Sequence, residues 1–431
     1  MSEGARQSTD SAVARIFRNA GALVSGKGAA GVLSIAYLAM AARSLGPSDM
    51  GVLVLAHAYA MTVAGIVRFQ SWQAVIRFGA PMISEEKPDA FRRLLRYTAR
   101  IDALSAILGV ALALFAAPFA ARWFGWSGDV LELVYLYAAA VPFLMGATPT
   151  GVLRLFGKFK MLGLQMTIMP AVRFLGSLAA MLAGGGIEAF LGVWIVSAFA
   201  NGVSLWALGW RELKRRRLAP KFVGKSDAAH DPSWLPFMLK TNGVSTLDLV
   251  NESVPVLLVG GIAGSAPAGF FQLAQNVTNI LAHPTNMLNH ATFPELARIE
   301  AEQGRKKMVG VAVKSAAMAT AVALPLIALF VLLREEIAVL VGGEAFRAAG
   351  AIVAGMALYQ MIRIVTVVFE SAAVARGKAG AAFIAQLLGA IGVVGAMSFL
   401  LPPMGVLAAA VALGVGRLLM LAVLAVAVTR A

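Results

Sequence analysis

Acidic side chains lie at helical spacing in an apolar stretch of the second half of the chain. Thr241, Ser245, Asp248 and Glu252 follow one another at i, i+4, i+7 and i+11, so a helix would carry all four on one face. Asp248 and Glu252 are one turn apart, and carboxylates this close repel each other until a proton or a cation binds. Both are therefore candidates for binding such an ion, with pairing to basic side chains of neighbouring helices as the alternative.

Basic side chains interrupt four other apolar stretches, at Lys27, Arg68, Arg173 and Arg363. An ionisable group at the centre of a bilayer costs ~2.5–3.5 kcal/mol, so it normally faces a cavity or a partner. Arginine and lysine make charge-assisted hydrogen bonds to phosphate oxygens. The four residues therefore predict a site for an anionic group. The alternative is a structural role, in which each residue is hydrogen-bonded between helices and contacts no ligand.

Composition shows what kind of protein must position these residues. Hydrophobic residues make up 59% of the 431 and charged residues 14%, whereas soluble domains have ~45–50% and ~25%. This excludes a soluble enzyme and indicates a membrane protein. The chain has no cysteine and four scattered histidines, so we expect no metal site, no cofactor and no catalytic residue. The net charge of +15 is spread between the apolar segments, which argues against a nucleic-acid partner.

The apolar residues form runs long enough to cross a hydrocarbon core as helices, at ~20 residues each. We expect an all-α polytopic membrane protein of about twelve transmembrane helices, near residues 17–42, 50–77, 101–121, 130–151, 161–184, 187–210, 236–260, 267–290, 311–333, 349–374, 380–401 and 404–429. The tryptophans at segment ends, among them Trp206, Trp210 and Trp234, predict interfacial anchors.

Lysine and arginine are distributed very unevenly between the two sets of loops. The set that includes both termini holds 26 of them, and the opposite set holds four. Because cytoplasmic loops are enriched in these residues, we expect both termini in the cytoplasm and a multi-pass protein of the bacterial inner membrane, in contact with its lipids.

The two halves of the sequence match each other. Gly46 and Gly264 align at an offset of 218 residues, and Gly157 and Gly377 align at 220. With six helices in each half, both halves would enter the membrane in the same sense, as a parallel repeat with a substrate path between them. The predicted domains are a six-helix bundle at 1–210, a basic cytoplasmic linker at 211–233 and a second six-helix bundle at 234–431.

Several turns between the predicted helices resemble those of one family. Residues 42–51 (ARSLGPSDMG), 73–77 (QAVIR) and 151–159 (GVLRLFGKF) are similar to the first turn, the end of the second helix and the fourth turn of the polysaccharide flippases. These proteins belong to the multidrug/oligosaccharidyl-lipid/polysaccharide exporter (MOP) superfamily. The resemblance extends over nearly the whole chain in helix number and six-plus-six layout.

This resemblance implies a substrate and a mechanism. The substrate would be a polyprenyl-diphosphate-linked oligosaccharide, moved from the cytoplasmic to the periplasmic leaflet by alternating access for lipopolysaccharide O-antigen or exopolysaccharide biosynthesis. Lys27, Arg68, Arg173 and Arg363 would contact the diphosphate or acidic sugars. Glu370 is similar to an acidic position of the drug-exporting branch, and would join the acidic pair on the seventh helix in binding H⁺ or Na⁺. Polysaccharide polymerase or assembly proteins would be partners.

Two alternatives remain open at this point. One is a cation-coupled multidrug exporter of the same superfamily, against which the basic residues on the first, second and fifth helices argue. The other is a membrane glycosyltransferase or polymerase that acts on the same lipid. Such an enzyme needs a catalytic acid or base at the membrane surface, usually with a large periplasmic loop, and every predicted periplasmic loop here is short.

Overall fold

A computed structural model describes residues 3–220, 231–281, 295–296, 298–300 and 302–430. Side chains are described from residue 26 onward, except at 243–245 and 248–252. These residues form helices and the turns that connect them, and no strand is present among them. The predicted all-α fold class is therefore confirmed.

The described residues of the first half of the chain form eight α-helices and a short 3₁₀ turn. They are α1 (Glu3–Val67), α2 (Ser71–Ser84), α3 (Pro88–Phe124), α4 (Gly128–Ala138), the 3₁₀ turn Val141–Leu144, α5 (Ala147–Leu155), α6 (Phe159–Gln165), α7 (Ile168–Leu182) and α8 (Ile187–Arg215).

The second half contains eight further α-helices in the part that the structure describes. They are α9 (Trp234–Glu252), α10 (Val254–Ala263), α11 (Ser265–Thr278), α12 (Arg305–Leu332), α13 (Arg334–Gly342), α14 (Gly350–Ala375), α15 (Ala379–Met404) and α16 (Leu407–Thr429). Short 3₁₀ turns lie at Asn279–Leu281 and Glu344–Ala349.

Eight described elements are long and apolar enough to cross a membrane, or nine if the bent pair α4–α5 is one span. The first of them, 59 residues from Gly26 to Ser84, would be about 90 Å long if it were straight, three times the ~30 Å core. It turns back at Gly46, whose φ of 72° and ψ of 179° suit a residue without a Cβ atom. The turn at Gly46 therefore separates two of the predicted segments within this stretch.

The internal repeat is visible in the backbone. Gly264 has nearly the same conformation as Gly46, with φ 100° and ψ 176°. Four pairs of positive-φ glycines recur at offsets between 218 and 221 residues: Gly46 and Gly264, Gly125 and Gly343, Gly157 and Gly377, Gly184 and Gly405. The same turns thus follow equivalent helices in both halves, which confirms the repeat.

The chain forms two compact units. Unit 1 comprises Met1–Tyr37, Ala60–Ala120 and Gly128–Thr246, and unit 2 comprises Leu38–Tyr59, Ala121–Ser127 and Leu247–Ala431. The domain boundaries inferred from the sequence, with a linker at 211–233, stay a prediction because residues 221–230 lie outside the described part.

Unit 2 includes a hairpin from the first half of the chain, formed around the Gly46 turn. A Cβ atom at Gly51 would collide with the backbone of Ser265, so the two helices touch backbone to backbone. Arg43 donates a hydrogen bond of 2.6 Å to the carbonyl oxygen of Leu340, near the C-terminal end of α13. Close packing of small residues and a helix-end hydrogen bond therefore attach this hairpin to helices of the second half.

The C-terminal end of α16 is also tied down within unit 2. Arg376 Nη1 donates to the carbonyl oxygens of Ala427, Val428 and Arg430 at 2.9, 2.8 and 2.9 Å. Its Nε contacts Glu300 Oε1 at 3.2 Å in a largely buried ion pair. One arginine thus caps three terminal carbonyls that have no partner within the helix.

Candidate functional site

Arg173 lies in an aromatic cage inside unit 1. The residue is 3% exposed, and its guanidinium carbon lies 4.1 Å from the ring centre of Trp194. Nε donates to Ser197 Oγ at 3.0 Å and Nη1 donates to Tyr37 Oη at 3.2 Å. Cation–π contacts contribute up to ~2 kcal/mol when desolvated. Rings and hydroxyls from two helices, α1 and α8, thus hold the positive charge of Arg173 on α7 at a fixed position.

Arg68 occupies a break in a predicted membrane segment. Helix α1 ends at Val67 and α2 begins at Ser71, although the sequence predicts one helix over 50–77. That prediction is wrong at this point, because the apolar run conceals three non-helical residues. Non-helical backbone at membrane depth persists only where it is buried in protein or lines a water-filled cavity.

A second break lies nearby, in the predicted segment 130–151. Helices α4 and α5 meet there at a bend of 54°, around the 3₁₀ turn. Asp102 of α3 joins both breaks. Its Oδ1 accepts from Ser71 Oγ at 2.7 Å and its Oδ2 accepts from the backbone N–H of Thr148 at 2.8 Å. Ser71 begins α2 and Thr148 is the second residue of α5, so one carboxylate binds the N-terminal ends of two broken helices.

Asp102 is the functional candidate that the sequence analysis missed. The residue is 7% exposed, and Arg68 lies within electrostatic range of its carboxylate. The available signal was an acid one residue inside the predicted segment 101–121. That position also suits an interfacial acid, so residue type alone did not indicate its burial.

Lys27 lies beside a close helix crossing in unit 1. A Cβ atom at Gly26 would collide with the backbone of Gly163, so α1 and α6 touch at this point. Lys27 itself is exposed. The structure thus places three of the four basic candidates, Lys27, Arg68 and Arg173, in unit 1.

Arg363 lies in unit 2 on α14. Its Nη1 donates to Gln360 Oε1 at 3.3 Å, and Gln360 is buried and donates to the carbonyl oxygen of Thr278 at 3.3 Å. Glu370 is half-buried two turns further along the same helix. Convergence of the four basic residues on one space stays a prediction.

The side chains of Asp248 and Glu252 lie outside the described ones, although their backbone is helical. Helix α9 ends at Glu252, and α10 begins at Val254 with Pro255 in its first turn. The predicted segment 236–260 is therefore interrupted next to the acidic pair, where the proline lacks a backbone donor.

Comparison with known proteins identifies the family. Residues 40–351 match the family described as polysaccharide biosynthesis protein. The chain belongs to this family. It is also 28% identical over 327 residues to the inner membrane protein YghQ of Escherichia coli (strain K12), covering 75% of this chain and 91% of that protein.

Two solved structures share the fold of this polysaccharide biosynthesis protein. The lipid II flippase MurJ in an inward closed conformation has a TM-score of 0.73 at 13% identity, over 93% of this chain and 85% of that one. An inward-facing multidrug resistance MATE transporter of the MOP superfamily has a TM-score of 0.69 at 14% identity, over 94% and 92%. The expected family resemblance is confirmed, and the chain shares the fold of these two solved proteins.

Proposed function

We propose that this polysaccharide biosynthesis protein moves a polyprenyl-diphosphate-linked oligosaccharide from the cytoplasmic to the periplasmic leaflet by alternating access. The glycan would serve lipopolysaccharide O-antigen or exopolysaccharide assembly in the bacterial inner membrane, upstream of a polymerase or other assembly proteins. Both chain termini would be cytoplasmic, as the distribution of lysine and arginine predicts.

The joined helix breaks in unit 1 carry this proposal. Discontinuous membrane helices whose N-terminal ends meet near the middle of the bilayer are a common way to build a transport site for anionic groups. Here the ends of α2 and α5 meet at Asp102, with Arg68 in the first break and Arg173 in the same unit. Two guanidinium groups suit a diphosphate because each offers a planar pair of donors.

Substitution of Arg68 tests the assignment. Arg68→Ala should abolish translocation of the lipid-linked oligosaccharide in proteoliposomes, because the diphosphate loses a charged partner. Arg68→Lys should keep partial activity, since it retains the charge but not the fork. Arg122→Ala, at the exposed end of α3, is the matched control. Full transport by folded Arg68→Ala protein would remove Arg68 from the site.

Coupling to an ion gradient is proposed for Asp248 and Glu252, with Glu370 as a third acidic residue. The break between α9 and α10 leaves Ser253 outside both helices, so protonation or Na⁺ binding at the pair would bend the segment near Pro255. Glu252→Gln should fix the neutral state and slow turnover, which would leave lipid-linked precursor in the inner leaflet. Normal transport by the double variant Asp248→Asn/Glu252→Gln, unchanged when proton and sodium gradients are collapsed, would contradict this role.

A cation-coupled multidrug exporter is the second candidate, favoured by the similarity of the fold to the MATE transporter. The two functions differ in the charge of the substrate. Uptake of a fluorescent organic cation by inside-out vesicles, with no translocation of lipid-linked oligosaccharide, would support the exporter and exclude the flippase.

A further inference from the structure

Unit 1 contains a groove of about 750 Å³ on the side of α3 that faces α8. Its walls are Ala103 and Ala106 of α3 and Val203 and Ala207 of α8, and Phe143 of the 3₁₀ turn contributes to the lining. Ala103, Val203 and Ala207 are exposed. The groove is therefore almost entirely apolar and open toward the surroundings of the protein.

Small residues create this hollow. Ala99, Ala103 and Ala106 follow one another at i, i+4 and i+7 along α3, so one face of the helix has no large side chain. On α8, a Cβ atom at Gly202 would lie 2.8 Å from the backbone of Phe143. The 3₁₀ turn at the α4–α5 break thus approaches α8 closely at this glycine.

Polar and aromatic groups mark one end of the groove. Arg100 and Trp210 belong to its lining, and the ammonium of Lys214 lies 5.9 Å from the ring centre of Trp210. Arg100 is exposed. Basic residues lie in the first turns of α3 and in the last turn of α8. This end of the groove therefore faces the side of the membrane on which the loops rich in lysine and arginine lie. Tryptophan and arginine at such a position suit the boundary between lipid head groups and chains.

Asp102 also borders the groove, but its carboxylate oxygens are engaged away from the mouth. Both oxygens of its carboxylate accept hydrogen bonds inside the protein, from the Ser71 hydroxyl and the Thr148 backbone. Charge complementarity at the mouth is therefore set by Arg100 and Lys214, which favour an anionic head group joined to an apolar chain.

We propose that this groove binds the isoprenoid chain of a polyprenyl phosphate lipid, with Arg100 contacting the phosphate at the mouth. The inference rests on the proposed function for the identity of the lipid. A carrier of this class has a single chain attached to its phosphate or diphosphate head group, which matches a single groove with one cationic mouth. A glycerophospholipid brings two chains to each phosphate.

Such a site solves a physical problem of lipid-linked transport. The polar head group must leave the interface while the long apolar chain remains in the membrane. A groove on the surface of unit 1 would hold the chain against the protein and keep the head group near the helix breaks at Arg68 and Asp102.

Binding of defined lipids to the purified full-length chain tests the proposal. Intact-complex mass spectrometry would compare polyprenyl phosphate, the uncharged polyprenol and phosphatidylglycerol as probes. Ala103→Trp fills the groove and should weaken both polyprenyl lipids at least about tenfold, because losing about ten carbon–carbon packing contacts already gives that factor. Arg100→Gln should weaken the phosphate alone. Ala111→Trp, at an exposed position of α3 outside the groove, should change neither.

The opposite wall provides a second variant if Ala103→Trp does not fold. Val203→Trp on α8 should then give the same loss for both polyprenyl lipids. Unchanged affinity in either folded groove variant would overturn the assignment. Equal competition by phosphatidylglycerol would also overturn it, because the groove would then take membrane lipid in general.

Transport assays separate this inference from the proposed function. If the chain binds polyprenyl phosphate as expected but moves no lipid-linked oligosaccharide in proteoliposomes, the proposed function fails and the groove assignment stands. If the oligosaccharide is moved, and the Ala103→Trp variant binds polyprenyl phosphate with unchanged affinity and transports at an unchanged rate, the groove assignment fails and the proposed function stands.

Discussion

Asp102 offers a direct test of how the broken helices are held. Replacing Asp102 by alanine removes the acceptor of two hydrogen bonds, from the hydroxyl of Ser71 and the backbone N–H of Thr148. The Thr148 donor lies in the first turn of α5, where no carbonyl within the helix can accept it. Both donors would be left buried without a partner.

The size of the effect follows from the two donors. Each buried donor without a partner costs about 1–3 kcal/mol, which gives about 2–6 kcal/mol for Asp102→Ala. Hydrogen bonds between membrane helices average only ~0.6 kcal/mol, so we expect the lower half of that range, about 3 kcal/mol. Asp102→Asn keeps one acceptor oxygen and should lose about half as much, because its amide NH₂ cannot accept.

Thermal unfolding in detergent micelles, followed by intrinsic fluorescence, measures these differences. A loss of about 3 kcal/mol should lower the midpoint by about 6–12 °C for a unit of this size. Asp129→Ala is the matched control, since Asp129 is exposed in the first turn of α4 and its removal should cost under about 0.5 kcal/mol. Equal midpoints for the Asp102 and Asp129 variants would refute the role of the carboxylate at the breaks.

Two further predictions concern the second half and the topology. Arg376→Ala should destabilise the protein by about 3 kcal/mol, because a largely buried ion pair is broken and the carbonyls of Ala427 and Val428 lose this donor. Arg298→Ala, in an exposed pair, should cost under about 1 kcal/mol, and melting curves of the two variants compare them. Because the chain has no cysteine, single cysteines can be labelled to test the topology. Ser48→Cys should react with an impermeant maleimide added on the periplasmic side, and Lys214→Cys should react only after the membrane is permeabilised. The reverse pattern would contradict the proposed orientation.

Much of the fold could be predicted from the sequence because the determining signals are local. Long apolar runs indicate membrane helices whatever their partners are. The glycine turns at Gly46 and Gly264 repeat because each half needs a residue with a positive φ after its first helix. The breaks in these helices could not be predicted from the apolar runs. Residues 68–70, 139–146 and 253 interrupt apolar runs, and hydropathy does not distinguish a helix from a turn of the same composition.

The candidate site could be predicted only in part. Residue type indicates a buried cation at Arg173, but its cage comes from Tyr37 and Trp194, which are far from it and from each other in sequence. Pairing over such distances depends on helix packing, which a single sequence does not reveal. Trp234 illustrates the same limit. Its position at a segment end predicts an interfacial anchor, yet it is 3% exposed and its ring centre lies 5.4 Å from that of Tyr97.

The hairpin around Gly46 has a consequence for biosynthesis. Its packing partners in unit 2, including Ser265, are synthesised roughly 200 residues later, which at 5–20 residues per second is about 10–40 s. During that time the ribosome has delivered the hairpin without its partners, and the small-residue surface of Gly51 is covered by lipid or by the insertion machinery. Unit 2 cannot close until the second half has emerged, so a chain truncated after the first half would expose this surface to quality-control proteases.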